Sequence, residues 1–174
     1  MIYYYNQYDK LLANDNKYYR YDGSVTLDDI KQYMKLHHQY KHDQACIQEL
    51  GVDDVRFDFV SLNPYKRYIR ILEYKVSRQD FKNDRKVLDY MQYCNTLSFV
   101  TPLGMVEREE LIDDRIGLLQ VFKWQHRGGE EERWRLGAIW IKRPSGRKLA
   151  IERYYRVADM MLARVVQGRK KDIF

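Results

Sequence analysis

Two stretches decide how this chain is read: Val55-Arg56-Phe57-Asp58-Phe59-Val60 and, after a turn at Asn63-Pro64, Tyr68-Ile69-Arg70-Ile71-Leu72-Glu73-Tyr74-Lys75-Val76. Both follow the period of two expected of a β-strand. In the first, Val55, Phe57 and Phe59 fall on one face and Arg56, Asp58 and Val60 on the other. In the second, Leu72, Tyr74 and Val76 share one face while Ile69, Ile71, Glu73 and Lys75 share the opposite one. An Asp and a Glu on neighbouring strands can converge on one hard divalent cation, and a Lys two residues after the Glu projects from the same sheet face, ~7 Å further along.

That combination suits phosphodiester hydrolysis. A divalent cation neutralises the developing charge and activates water, and a nearby ammonium positions the water or stabilises the transition state. Asp58, Glu73 and Lys75 are therefore the candidate catalytic residues, with Mg2+ or Mn2+ as cofactor. The acid-x-Lys spacing alone is weak, since Asp15-x-Lys17, Asp29-x-Lys31 and Asp84-x-Lys86 also have it. Only Glu73-Tyr74-Lys75 lies on a strand with an alternating strand and an Asp just upstream. The same residues also read as a surface ion pair at a strand end, with Asp58 on an edge.

Outward from these strands, Thr26 and Asp29 mark a helix start, and Leu27, Ile30 and Met34 recur at helical spacing. This predicts one long helix stopped by Gly51, with a break admitted near the histidines. Ser77-x-x-Asp80 starts a helix that carries Phe81, Leu88, Met91 and Tyr93 or Cys94 inward and ends near Asn95. Strands are expected over 97–101, 118–124 and 134–142, and a closing helix carries Ile151, Ala158, Met161 or Leu162, and Val165 inward before Gly168. The order predicts an α/β fold with a mixed central sheet flanked by helices. The domain reading is a tyrosine-rich extension over 1–25, a nuclease-like domain over 26–168 and a basic tail over 169–174.

With 174 residues the chain can bury one full core. Lys and Arg number 31 against 25 Asp and Glu, a surplus of +6 that favours partners carrying phosphate. Two cysteines, Cys46 and Cys94, are too few for a disulfide framework and suit a reducing cytoplasm. Neither a signal peptide nor an apolar run of membrane-spanning length is visible, so a cytoplasmic protein with no membrane partner is expected.

The run Glu73-Tyr74-Lys75-Val76-Ser77-Arg78-Gln79-Asp80-Phe81, continued by Asp84, Lys86, Tyr90, Tyr93-Cys94, Phe99, Pro102 and Gly117-Leu118, resembles the MmcB-type DNA-repair proteins, a branch of the PD-(D/E)XK nuclease superfamily. The likeness spans about residues 56 to 121, and Arg56-Phe57-Asp58 stands where that family places an Arg shortly before its metal-binding Asp. The resemblance implies a restriction-endonuclease-like fold and a metal-dependent deoxyribonuclease acting in DNA repair or processing. It implies that Asp58, Glu73 and the backbone carbonyl of Tyr74 hold the metal while Lys75 orients water. A fourth acidic ligand often comes from the first helix or its end; Glu49 is the candidate, though it also reads as a solvated carboxylate near a helix C-terminus. Lys86 and Tyr90 resemble a Q-x-x-x-Y element that reaches scissile-strand phosphate, against the plainer reading of a solvated Lys and a packed Tyr. Val87 stands where the family has a large aromatic residue, and Asn95 where it has Asp. The segment from His126 to Arg135 is foreign to the pattern.

Several other charged groups have two readings. Asp80 caps its helix, and Asp84 orders an Arg such as Arg56 or Arg78 rather than forming a second metal site. His38, His42 and Cys46, spaced by four, span too far for one zinc ion. Arg153 and Arg156 on the closing helix, together with Arg78, are candidate DNA contacts; a solvated basic face is the alternative. The competing functions are a non-catalytic DNA-binding module that keeps the fold, and an assembly factor using the tyrosine-rich start, which could in any case make a homo-oligomer.

Overall fold

The computed structural model of the chain describes residues 2–3, 19–38, 44–84, 86–127 and 134–167. Among these residues one eight-stranded mixed sheet forms the centre: β1 (Ile2–Tyr3), β2 (Tyr19–Asp22), β3 (Ala45–Val52), β4 (Val55–Asn63), β5 (Tyr68–Tyr74), β6 (Thr96–Pro102), β7 (Gly117–His126) and β8 (Arg135–Lys142). The strand order is β1-β8-β7-β6-β5-β4-β3, with β2 also on β7. β3, β4 and β5 run antiparallel as a meander, β5, β6 and β7 are parallel, and β8 returns antiparallel to β7. β6 ends at Pro102, which has no N–H to continue the ladder, and β2 takes over that edge of β7 from Lys123 to His126.

Four helices flank the sheet: α1 (Leu27–His38), α2 (Arg78–Asn83), α3 (Val87–Tyr90) and α4 (Ile151–Val166). On one face Cys46, Phe59, Leu72, Tyr74, Val100 and Val121 pack with Ile30, Tyr33 and Met34 of α1. On the other, Ile47, Val60, Ile71, Phe99 and Leu118 pack with Phe81 of α2, Val87 and Tyr90 of α3, and Tyr154, Val157 and Met161 of α4. The result is the mixed α/β, restriction-endonuclease-like arrangement expected. Among the described residues no helix is long and apolar enough to cross a membrane.

Three local expectations are corrected. The helix starting at Thr26 has the expected cap, Thr26 Oγ1 accepting the Asp29 N–H and Asp29 Oδ2 accepting the Thr26 N–H. It does not run to Leu50, because Ala45–Val52 is a strand that pairs with β4 through a turn at Asp53-Asp54. Burial on both faces of β3 overrides the helical spacing, so Gly51 lies within a strand and Cys46 does not continue a helical series with His38. His42, most of the tyrosine-rich start, Gly168 and the basic tail lie outside the described residues.

The helix from Ser77 opens as expected, Ser77 Oγ accepting the Asp80 N–H at 3.1 Å, but breaks after Asn83. Asp84 is extended (φ −74, ψ 93), α3 follows from Val87, and a 3-10 turn spans Met91–Tyr93. The cause is an ion pair described below, which draws Asp84 out of helical geometry. Leu88, expected inside, is 51% exposed, while Val87 and Tyr90 point inward. On α4 the buried stripe is Tyr154, Val157 and Met161; Ile151, Leu162 and Val165 face outward instead. Arg153 and Arg156 are both tied to Asp53 at the β3–β4 turn, which fixes the rotation of the helix.

Candidate functional site

β4 and β5 pair from Asn63↔Tyr68 as far as Phe59↔Leu72, and there the backbone ladder stops. Side chains replace it. The Tyr74 N–H donates to Asp58 Oδ2 at 2.8 Å, and the Asp58 N–H donates to Glu73 Oε1 at 3.2 Å. Each strand's freed backbone donor is thus satisfied by the other strand's carboxylate, which removes the cost of leaving a buried N–H unpaired. Both carboxylates are thereby drawn into the gap between the strands.

The other edge of β4 explains why it leaves register here. β3 and β4 pair at Gln48↔Phe59 and Leu50↔Phe57, skipping Glu49 and Asp58 between them. Glu49 has φ 54, a left-handed conformation that is uncommon outside glycine. The half-turn returns Leu50 to the face of Ile47 and puts Phe57 on that face too, opposite Phe59. The expectation that Val55, Phe57 and Phe59 share one face is therefore corrected, because strict alternation fails at Asp58. On β5 it holds: Ile69 and Ile71 face one core, and Leu72 and Tyr74 the other.

Glu73 is 2% exposed and Lys75 8%. Burial, and then the negative charge of Asp58, push the Glu73 carboxyl up to about 9. Burial also raises Asp58, against the bond from the Tyr74 N–H and the charge of Lys75. Burial alone would lower Lys75, but its bond to Asp84 outweighs this and holds the ammonium above its ordinary value. Lys75 Nζ lies 2.8 Å from Asp84 Oδ2 and 3.5 Å from Asp80 Oδ1. Asp84 Oδ1 also accepts the Lys86 N–H at 3.0 Å, which restarts the chain as α3. Tyr90 is buried above these groups, and its phenol is raised by burial and then by the charges of Glu73, Asp84 and Asp58. At neutral pH the arrangement is a charged Lys held by Asp84, beside two carboxyl groups that repel one another.

The other expected site residues fall in different places. Glu49 is on β3, not at a helix end, and its carboxylate is engaged by Lys31 at 2.9 Å and Arg56 at 2.7 Å. Lys86 and Tyr90 do not share a continuous helix; Lys86 precedes α3, exposed, and Tyr90 is packed against Phe57. Arg78 joins α2 to the following loop, donating to the Met105 carbonyl at 2.6 Å and to Glu110 at 2.5 Å. Asp84 pairs with Lys75 rather than with Arg56 or Arg78. Its place beside the site was not legible, because nothing in the sequence marks the helix break that brings it there. Arg153 and Arg156 lie 3.6 and 2.7 Å from Asp53 at the opposite end of β4 from the Asn63 turn, and Arg153 also stacks on Tyr93. Among the described residues no three His, Cys, Asp or Glu side chains form a ready metal cluster. Asp58 and Glu73 supply hard oxygen donors of the type Mg2+ and Mn2+ prefer.

The family model described as DNA repair protein MmcB-like matches residues 30–168. Among solved structures the chain is similar to the SPO1766 protein of unknown function from Silicibacter pomeroyi, with 23% identity and a TM-score of 0.55 over 75% of this chain and 80% of that one. At that identity the likeness supports the fold alone. No curated protein matches the sequence.

Proposed function

Since the chain belongs to the MmcB-like DNA repair protein family, we propose that it is a metal-dependent deoxyribonuclease of the PD-(D/E)XK type that hydrolyses phosphodiester bonds during DNA repair or processing. The observation that carries this reading is the reciprocal crossing of Asp58 and Glu73 into the gap where β4 and β5 part. A fold needs no buried acidic pair at that point; two apolar residues would close the gap at less cost in desolvation. The pair fits a hard divalent cation, because an added positive charge relieves both the burial and the mutual repulsion that hold Glu73 protonated.

Asp58 and Glu73 would hold Mg2+ or Mn2+, with the Tyr74 carbonyl as a further oxygen. The Tyr74 N–H points toward Asp58, and in an extended chain the C=O of the same residue leaves the same strand edge. The ion, when bound, supplies charge neutralisation at phosphorus and a lowered pKa for the attacking water. Lys75 orients that water or meets the charge developing on the phosphate oxygens. Asp84 keeps Lys75 charged and aimed, and burial around Tyr74 and Tyr90 limits competing solvent. DNA is the partner this chemistry requires, and the chain's net charge of +6 favours its approach.

The test is plasmid cleavage alongside calorimetric Mn2+ titration of the intact protein. Nicking or linearisation that needs Mg2+ or Mn2+ and stops with EDTA is expected, together with saturable Mn2+ binding. Absence of Mn2+ binding, with or without DNA, would leave a non-catalytic DNA-binding module.

A further inference from the structure

We propose that a cleft beside Lys75, lined by Phe81, Lys82, Asp84, Phe99, Glu110 and Ile112, receives an unpaired nucleobase bearing an exocyclic amino group, so that the protein acts next to an extrahelical or single-stranded nucleotide. This deepens the nuclease reading and rests on it for the position of the phosphate.

Register places the cleft beside the site. Phe99 on β6 pairs with Glu73 on β5, so the two side chains stand next to each other on one sheet face, one strand spacing of ~4.8 Å apart. Asp84, on another wall, lies 2.8 Å from Lys75 Nζ. A nucleotide whose phosphate sits at Glu73 and Lys75 therefore has its base within reach of the cleft.

Size and chemistry narrow the occupant. The cleft holds about 330 Å³, room for one flat ring with solvent and far too little for a stacked pair of strands. Phe81 and Phe99 meet edge to face, with centroids 5.2 Å apart and planes at 75°, and offer the apolar aromatic surface on which bases stack regardless of sequence. The polar groups on the walls are carboxylates. Glu110 is fixed by Arg78 at 2.5 Å and by the Glu107 N–H at 2.8 Å, and Asp84 by Lys75 and the Lys86 N–H. Each carboxylate oxygen has a second lone pair, so both can still accept a hydrogen bond. Such walls repel phosphate and the carbonyl-rich edge of thymine, and they accept the amino N–H of adenine, cytosine or guanine. Because both acids are already oriented, the bond needs no rearrangement of the walls. Lys82 at the rim can meet the backbone of the same strand. Ile112, 67% exposed, forms the outer lip.

The experiment measures fluorescence-anisotropy binding of the wild-type chain, in EDTA, to a labelled duplex. The duplex is fully paired, or carries a single extrahelical A, C or T. Binding to the A or C bulge about tenfold tighter than to the paired duplex is expected, since stacking one base on an aromatic wall is worth about that much, with the T bulge weaker than A or C. Ile112→Trp, a change on an exposed lip, should abolish the bulge preference and leave affinity for paired duplex unchanged. Glu110→Gln, which keeps a capping-competent side chain, should retain the preference for a bulge but bring A and T to within about twofold. Equal binding of bulged and paired duplex, no DNA binding, or an unaltered preference in Ile112→Trp would each overturn the proposal. A thymine preference would overturn the role given to the carboxylates. Cleavage with Mn2+ is scored separately: a bulge preference without cleavage defeats the nuclease reading alone, and cleavage without a bulge preference defeats the cleft alone.

Discussion

The chain has two acid–base clusters that look alike in sequence and differ in state. At the β3–β4 turn, Asp53 is met by Arg156, Tyr93 and Arg153; the Arg156 bond comes first among the causes that hold its carboxyl below the ordinary range. At the far end of β5, Asp58 and Glu73 share buried space, burial raises both, and the nearby Lys75 is already held by Asp84. The first cluster neutralises itself in solvent, where such pairs contribute little. The second leaves acidic oxygens without a full counter-charge, in a place where desolvation is costly. A site that takes up an external cation is recognised by that imbalance, not by the number of charges.

The largest expected effect tests whether the buried cluster does chemistry. Lys75→Ala should cut cleavage by about a thousandfold or more, as expected when a group acting on the transition state is lost, while Mn2+ binding largely survives. Asp58→Ala or Glu73→Ala should lose both. Wild-type cleavage by Lys75→Ala would remove the distinction between the two clusters. A smaller loss is expected from Asp84→Asn. It keeps the shape but loses the charge that aims Lys75, and should lower kcat by about 10- to 100-fold, the range for residues that support a site from behind. KM for DNA and Mn2+ affinity should change little. A change confined to thermal stability would make Asp84 a helix breaker only.

The exposed cluster predicts a modest result. If Arg153 and Arg156 each neutralised a phosphate, removing both would flatten the slope of log K against log salt by about 1.8. Because Asp53 engages both, Arg153→Ala with Arg156→Ala should change the slope by clearly less and weaken binding at every sequence alike. Asp53→Asn, which releases the two guanidinium groups, should strengthen binding. A full slope change in the double variant would show that DNA displaces Asp53, and the contrast between the clusters would narrow.

The differences between sequence and structure sit where backbone geometry departs from its regular period. The β5 alternation was legible because Ile69, Ile71, Leu72 and Tyr74 keep strict faces up to the strand end. On β4 the same reading misplaced Phe57, since the left-handed turn at Glu49 carries no glycine to announce it. Glu49 and Arg56 then pair with one another across the hairpin, a contact that depends on register rather than on local pattern. The α1 start was legible from its cap. The change to β3 was not, because Leu50 and Gly51 fit a helix end as well as a strand. Asp84 was visible as an acid but not as the partner of Lys75, since a helix through residue 84 would have pointed it elsewhere. The adjacency of Glu73 and Phe99 needs the parallel register of β5 on β6, which no single stretch of sequence contains.

The smallest effect has the most specific sign. Folding raises the Glu73 carboxyl from its ordinary value of 4.5 to about 9. Between those pH values the folded, metal-free chain keeps a proton that the unfolded chain releases. Stability from this group is therefore greatest below about pH 4.5 and declines as pH rises through the window toward 9. Asp53 has the opposite sign: its lowered carboxyl stabilises at neutral pH, and that contribution is lost on acidification through its folded value. Gln at position 73 mimics the protonated Glu without titrating. Glu73→Gln should thus melt close to wild type near pH 5 and progressively above it as pH rises to 9, by a few degrees for a chain this size. Adding Mn2+ should reverse the order at high pH, because the ion stabilises only a chain that can offer the Glu73 carboxylate. The measurement is a series of thermal melts from pH 5 to 9, with EDTA and with Mn2+. A difference that stays flat across the series would mean that the Glu73 carboxyl titrates near its ordinary value, and that the buried pair is no more strained than the exposed one.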